Sequence, residues 1–310
     1  MKFKKLFIYL LLPVLLFTLV SCNKNDDSKL LVVASMFPQY DVVRSIGGDK
    51  VDLLLTISPG VDTHSYDPSV DDIINIKKAN LFIYVSNELE TWANGLKKED
   101  DSHLVLNLSK NENITLQKSE EHEHEDEDHE EEEHEHEYDP HIWTSPQYLI
   151  YIVQDIRDAL VKLDSDNKDY YETKAAAYIA ELESIIVSMN ELKERAGDTT
   201  FYFASPFAFL YLFNDFNLSY YTIYDTCTTE IEPTMDKILA LKALIVAENI
   251  KYVYVKELSS SSVAETIVDG TDCQILLLHS GHNLTSTDFK NGVTLLGLMK
   301  QNIENLNKGI

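Results

Sequence analysis

Positive charge is what this sequence has least of. Its 310 residues carry 26 Lys and Arg against 52 Asp and Glu, a formal net charge of −26. So acidic a chain repels phosphate backbones and anionic bilayers, which excludes DNA, RNA and bare membrane surface as partners. No residue class is in marked excess: 44% hydrophobic and 25% charged residues is the balance of a globular chain. Disordered, collagenous and multispanning classes are excluded on that ground. Cysteine is scarce, with three residues. The apolar run at 6–20 is short for a membrane span and is interrupted by Pro13.

That run follows Lys2, Lys4 and Lys5 and has the length of a signal peptide. It closes on Leu19-Val20-Ser21-Cys22, which resembles a bacterial lipobox, in which the Cys is lipidated and becomes the mature N-terminus. The alternative is an uncleaved N-terminal anchor helix. Residues 23–29 then read as a polar tether. With Cys22 set aside, Cys227 and Cys273 form an even pair in an oxidising compartment, and a disulfide between them stays open because spacing supplies no distance.

The negative charge is unevenly spread. Residues 119–139 hold 14 acids and no Lys or Arg, more than half of the imbalance, so the excess belongs to that stretch and not to the fold. Outside it, short apolar runs alternate with helical patterns. Strands are expected at 30–34, 51–57, 81–85 and 104–108, with helices at 38–46 and from Pro68, the latter with Asp71 and Asp72 in its first turn and Lys77 and Lys78 in its last. Ser145-Pro146 starts a helix whose apolar face is Leu149, Ile152, Val153, Ile156, Leu160 and Leu163. Residues 169–195 lack Gly and Pro and are rich in helix formers, which predicts one long helix. Strands follow at 200–204, 218–223, 251–255 and 274–278, with helices at 207–213, 234–248, 262–268 and 287–307. This grammar predicts an α/β protein of two lobes, each a mainly parallel sheet wrapped by helices, joined by a rigid helix with a cleft between them. The lobes are placed at 30–164, including an acidic loop at 119–137, and at 198–310, with 165–197 as the connector.

Eight of the ten histidines fall into two kinds. His122, His124, His129, His134 and His136 are interleaved with carboxylates and have no apolar neighbour to fix them. They read as weak sites for borderline cations such as zinc, copper or nickel, against the blander reading of a solvated charged loop. His64, His141 and His279 instead stand at the ends of structured elements, where loops of an α/β sheet converge on ligands.

Several stretches here resemble the metal-binding solute-binding lipoproteins of bacterial zinc and manganese ABC importers. They are Ser35-Met36-Phe37-Pro38-Gln39-Tyr40, Ile46-Gly47-Gly48-Asp49, the loop from Gly60 to Pro68 around His64, Ala79-Asn80-Leu81-Phe82-Ile83-Tyr84, the loop from Asp139 to Pro146 around His141, and Thr229-Glu230-Ile231-Glu232-Pro233. The lipobox, the acidic histidine-rich insertion and the long connecting helix belong to the same pattern, so the resemblance spans nearly the whole chain. It implies a helical-backbone metal receptor with limited hinge motion and one metal ion in its cleft. It also implies a lipid anchor on the outer face of the cytoplasmic membrane, an ABC permease subunit as partner, and a monomer.

By that resemblance the first two ligands fall on His64 and His141. The third, a His or Glu ahead of an Ala-Phe-x-Tyr segment, should precede Ala208-Phe209-Leu210-Tyr211, where this sequence has Pro206. The fourth position, after the last strand, falls on His279. Three neutral imidazoles suit zinc, which takes about four ligands, whereas manganese wants more oxygen. The remaining donor is left among His282, Glu230, Glu232 and water, and Glu230 or Glu232 would serve equally as an acceptor that orients an imidazole. The function implied is capture of a divalent transition metal, zinc ahead of manganese, for delivery to a permease. A manganese-specific receptor and a secreted zinc hydrolase are the alternatives, together with an adhesin or metal buffer on the same fold. Against the hydrolase, the chain has no His-Glu-x-x-His segment and no obvious placed base.

Overall fold

A computed structural model describes residues 29–96, 100, 103–118, 138–225, 227 and 232–310. The lipobox with Cys22, the five histidines of the acidic stretch, and Glu230 lie outside the described residues. The first half of the chain builds strands β1 (Leu30–Ala34), β2 (Val51–Leu55), β3 (Leu81–Tyr84) and β4 (Leu104–Asn107), with helices α1 (Phe37–Gly47) and α2 (Val70–Lys78) between them. Helices α3 (Pro146–Leu163) and α4 (Lys168–Ala196) follow. The second half adds β5 (Thr200–Phe203), β6 (Ser219–Thr222), β7 (Tyr252–Lys256) and β8 (Gln274–Leu278), with α5 (Leu210–Asp215), α6 (Met235–Glu248), α7 (Ser262–Val268), α8 (Ser286–Lys290) and α9 (Leu295–Lys308).

The sheets share one plan. Their orders are β2-β1-β3-β4 and β6-β5-β7-β8, and every pairing is parallel. Parallel strands need both faces covered, and the two halves solve this with one common core and two outer ones. The outer cores hold Val33, Ile76 and Phe82 in the first sheet, and Ile223, Leu241, Val253 and Ile267 in the second. The common core runs from Val32 and Leu81 through α1, α3 and α4 to Phe203, Tyr254 and Leu306, so the long helix ties both sheets to one hydrophobic mass. On α4 the buried residues are Tyr171, Ala175, Tyr178, Leu182, Ile185, Met189, Leu192 and Ala196. Alternating steps of four and three keep that stripe on one side of a helix roughly 43 Å long.

Differences from the sequence reading follow local chemistry. Pro68 precedes α2 rather than opening it, because Ser69 caps the helix in a reciprocal box with Asp72. The helix expected at 287–307 is two helices, since Gly292 takes φ +73° and Thr294 caps a fresh start. Cys227 and Cys273 are free thiols, which corrects the disulfide considered above. The Cys227 carbonyl receives the Lys256 ammonium beyond the carboxyl end of β7, whereas Cys273 precedes β8 at its amino end. The strand pair therefore separates them by more than the ~7 Å that a disulfide spans. Among the described residues no helix is long and apolar enough to cross a membrane.

The carboxyl edge of the first sheet is organised around Glu90, which is fully buried. Its carboxylate accepts the backbone N–H groups of Val85 and Ser86 at 3.0 Å and the Ser35 hydroxyl. Ser35 in turn passes its carbonyl to the N–H of Ile57, at the root of the loop that carries His64. Burial pushes the Glu90 carboxyl up from 4.5 to about 7, against the opposing pull of those hydrogen bonds. Between those pH values the unfolded chain has lost this proton and the folded chain keeps it, so stability should fall as pH rises through the window and level off above it. The stability difference between wild type and Glu90→Gln, from urea unfolding, should change by about 3 kcal/mol across that range. A difference independent of pH would remove Glu90 as the source.

Candidate metal site

Three loops at carboxyl ends of strands converge between the sheets. His64 lies in the loop after β2, His141 follows β4 at the approach to α3, and His282 follows β8. Each is placed by the same turn. The N–H of His64 donates to Asp62 Oδ1 at 2.8 Å, that of His141 to Asp139 Oδ1 at 2.8 Å, and that of His282 to Ser280 Oγ at 3.4 Å. An Asp or Ser two residues ahead thus bends the backbone and turns the imidazole inward. One ligand atom from each of these histidines lies within 4.8 Å of the others. The ring centroids are 5.8 Å apart for His64 and His141, 5.2 Å for His64 and His282, and 4.3 Å for His141 and His282.

Hydrogen bonding fixes which nitrogens face the centre. His141 Nδ1 sits 2.7 Å from Asp139 Oδ1, an acceptor, so it carries the proton and leaves Nε2 with its lone pair. His282 Nδ1 lies 2.7 Å from Ser280 Oγ, whose own proton goes to Glu257 Oε1 at 2.5 Å. The serine can therefore only accept, and His282 is held in the same tautomer. The two Nε2 atoms face each other at 2.7 Å, a separation that a shared proton or a shared metal ion would bridge. Burial pushes the His282 imidazole well below its usual range, helped by its neighbours His141 and Lys256, so the neutral ring is the resting form. Three imidazoles brought together in this way form a donor set that fits zinc.

The scaffold behind His282 is dense. Glu257, at the end of β7, accepts from the N–H groups of Ser280 at 2.7 Å and His282 at 3.2 Å as well as from the Ser280 hydroxyl. Trp143 donates its indole N–H to the Ser280 carbonyl at 2.9 Å and stands edge-on to both His141 and His282. Gly281 bridges the serine and the histidine at φ +75°, where an added Cβ would lie 2.7 Å from the Leu295 side chain.

Not every residue singled out in the sequence arrives here. His279 does not join the group, which corrects its assignment as the donor from the second lobe. Asn302 brackets its backbone, accepting from its N–H at 2.7 Å and donating to its carbonyl at 2.8 Å, while its Nδ1 accepts from Gly281 N–H at 3.0 Å. The ring lines a small cavity with Met189, Leu298 and Ile303, on the helical side of the strand end. Glu232 is exposed and outside the group, and Pro206, buried after β5, offers no side-chain donor. Asp139, Ser280 and Glu257 were missed as supporting acceptors, although the Asp-x-His, Asp-x-His, Ser-x-His spacing was there to be read.

The model of a family described as zinc-uptake complex component A, periplasmic, matches residues 32–309. The chain is 32% identical to the high-affinity zinc uptake system protein ZnuA of Bacillus subtilis over 286 residues, 92% of this chain and 89% of that one. It is 31% identical to the zinc-binding lipoprotein AdcA of Streptococcus pneumoniae over 290 residues, 93% of this chain but 58% of that protein's length. Among solved structures, the Zn(II)-bound ZnuA-like domain of Streptococcus pneumoniae AdcA is similar with a TM-score of 0.73 at 26% identity, covering 91% of this chain and 98% of that one.

The position of His282 depends on the backbone of Gly281. Gly281→Ala should destabilise the protein by about 1–2 kcal/mol, the cost of an L-residue in that conformation. Thermal unfolding measures it, and an unchanged midpoint would show that the loop can relax around the added methyl.

Proposed function

This chain belongs to the family of periplasmic zinc-uptake components, and on that premise we propose that His64, His141 and His282 hold one zinc ion as cargo between the two sheets, for delivery to an ABC permease. The observation that carries the reading is the pair of Nε2 atoms facing each other at 2.7 Å, each ring with its Nδ1 turned to a partner behind it. Zinc over manganese follows from an all-imidazole set. The site suits transport: among the described residues its carboxylates position backbone and imidazoles.

The rest of the chain fits that role. Residues 30–164 and 198–310 act as lobes that close on the ion through His64 and His141 on one side and His282 on the other, with 165–197 as a stiff connector. A ligand held from both sides biases their relative position, and a permease can read that bias. The lipid on Cys22 anchors a monomer outside the cytoplasmic membrane. His122, His124, His129, His134 and His136 collect metal weakly and feed the tight site.

Calorimetry with competing chelator tests the ligand set. His282→Ala should weaken zinc binding by about 100-fold, and His64→Ala and His141→Ala comparably, whereas His279→Ala should stay within about tenfold of wild type because it acts only through the loop. Deletion of 119–137 should remove weak binding and leave the tight site. The reverse ranking of His279 and His282 would overturn the assignment.

A further inference from the structure

The loop that carries His64 is held from outside by one residue of the second half of the chain. Ser58-Pro59-Gly60-Val61 forms a tight turn: the Val61 N–H donates to the Ser58 carbonyl at 3.2 Å, and Gly60 sits at φ +87°, the left-handed position that such a turn requires after proline. Asn283, 2% exposed and next in the chain to His282, sets its side-chain amide against both ends of this turn. Its Nδ2 donates to the Ser58 and Val61 carbonyls, each at 2.8 Å, and its Oδ1 accepts the Leu284 N–H at 2.8 Å. Both amide hydrogens are in use, which fixes the side chain and gives the turn one posture against it. Directly after the turn, Asp62 accepts the His64 N–H at 2.8 Å, so residues 58–64 make a short, stiff arm with the half-buried His64 at its tip.

The arm forms one wall of a cavity of about 100 Å³ beside the imidazoles, and Lys256 and Leu258 stand on the facing wall. Gly60, Val61, Asp62 and Leu258 are exposed, whereas His141 and His282 are buried. Solvent meets the site on this side, and an ion held by the buried rings leaves past the arm. We infer that Asn283 is the clasp of that arm: its amide must release the Ser58 and Val61 carbonyls before a metal ion passes in or out. The inference rests on the zinc reading above and adds to it a positioning residue that sets rates. Neither the amide nor the two carbonyls belongs to the donor set, so the clasp weighs equally on the loaded and the empty protein. Its strength then cancels from the affinity and remains in both capture and release.

Stopped-flow mixing of the full chain with zinc and a fluorescent chelator reads capture and release separately. Asn283→Ala and Asn283→Asp both remove the two N–H donors, and the second keeps the acceptor for Leu284. Each should speed capture and release by about tenfold, the scale of one or two lost hydrogen bonds, with the dissociation constant within about threefold of wild type. Gly60→Ala reaches the same arm without touching the core, since an added Cβ meets nothing within 4 Å and only the backbone is strained. It should raise both rates as well. Hydrogen exchange locates the change: the Val61 and His64 amides should lose protection, while those of Val32 and Val253, buried in the two sheets, keep it. Unchanged rates, faster release without faster capture, or protection lost through both sheets would overturn the clasp while the tight 1:1 metal site stands. Absence of tight zinc binding in wild type would overturn the zinc reading and this inference with it.

Discussion

Two imidazole nitrogens face each other at 2.7 Å, and most of the site's construction serves to hold them there. Each ring is gripped from behind. Asp139 holds one, and the Ser280–Glu257 relay holds the other. Pre-aligned lone pairs of this kind lower the reorganisation that metal binding would otherwise require. Burial contributes as well, since a desolvated His282 favours its neutral, metal-ready form.

The fold exists to bring those grips together. Asp139 and His141 come from the first half of the chain and Glu257, Ser280 and His282 from the second, so the donors meet only if the two sheets hold a fixed relation. The shared core along α4 supplies most of that relation. Polar ties across the halves sharpen it: Asn283 donates to the carbonyls of Ser58 and Val61 at 2.8 Å, and Trp143 reaches the Ser280 carbonyl at 2.9 Å. The buried Asp41 and its half-buried partner Arg44 on α1 add another, with Asp41 accepting the Leu295 N–H at 2.9 Å and Arg44 donating to the Val293 carbonyl at 2.9 Å. These ties hold the second-half loops, including the one that ends on His282, against the first.

Much of this was legible in the sequence because it rests on periodicity. Alternating strand and helix patterns predicted both parallel sheets, and the absence of Gly and Pro from 169–195 predicted the long helix that runs from Lys168 to Ala196. His64 and His141 stood out because their loops are distinctive. The second-half donor was harder. His279 directly follows the apolar strand β8, but its backbone is held on both sides by Asn302, which leaves its ring outside the group. His282 is turned inward by a serine two residues ahead, the device that also aims His64 and His141. That local signal was available at 280–282 and outweighs proximity to the strand. The Glu257 relay was not available, since it joins residues 23 and 25 positions apart through the register of β7 and β8.

The most direct measurement is X-ray absorption at the zinc edge of the loaded full chain. Three imidazole rings are expected, visible by their outer-shell multiple scattering, with one further oxygen at about 2.0 Å. A first shell with two imidazoles, with sulfur, or with predominantly carboxylate oxygen would contradict the claim that His64, His141 and His282 together hold the ion.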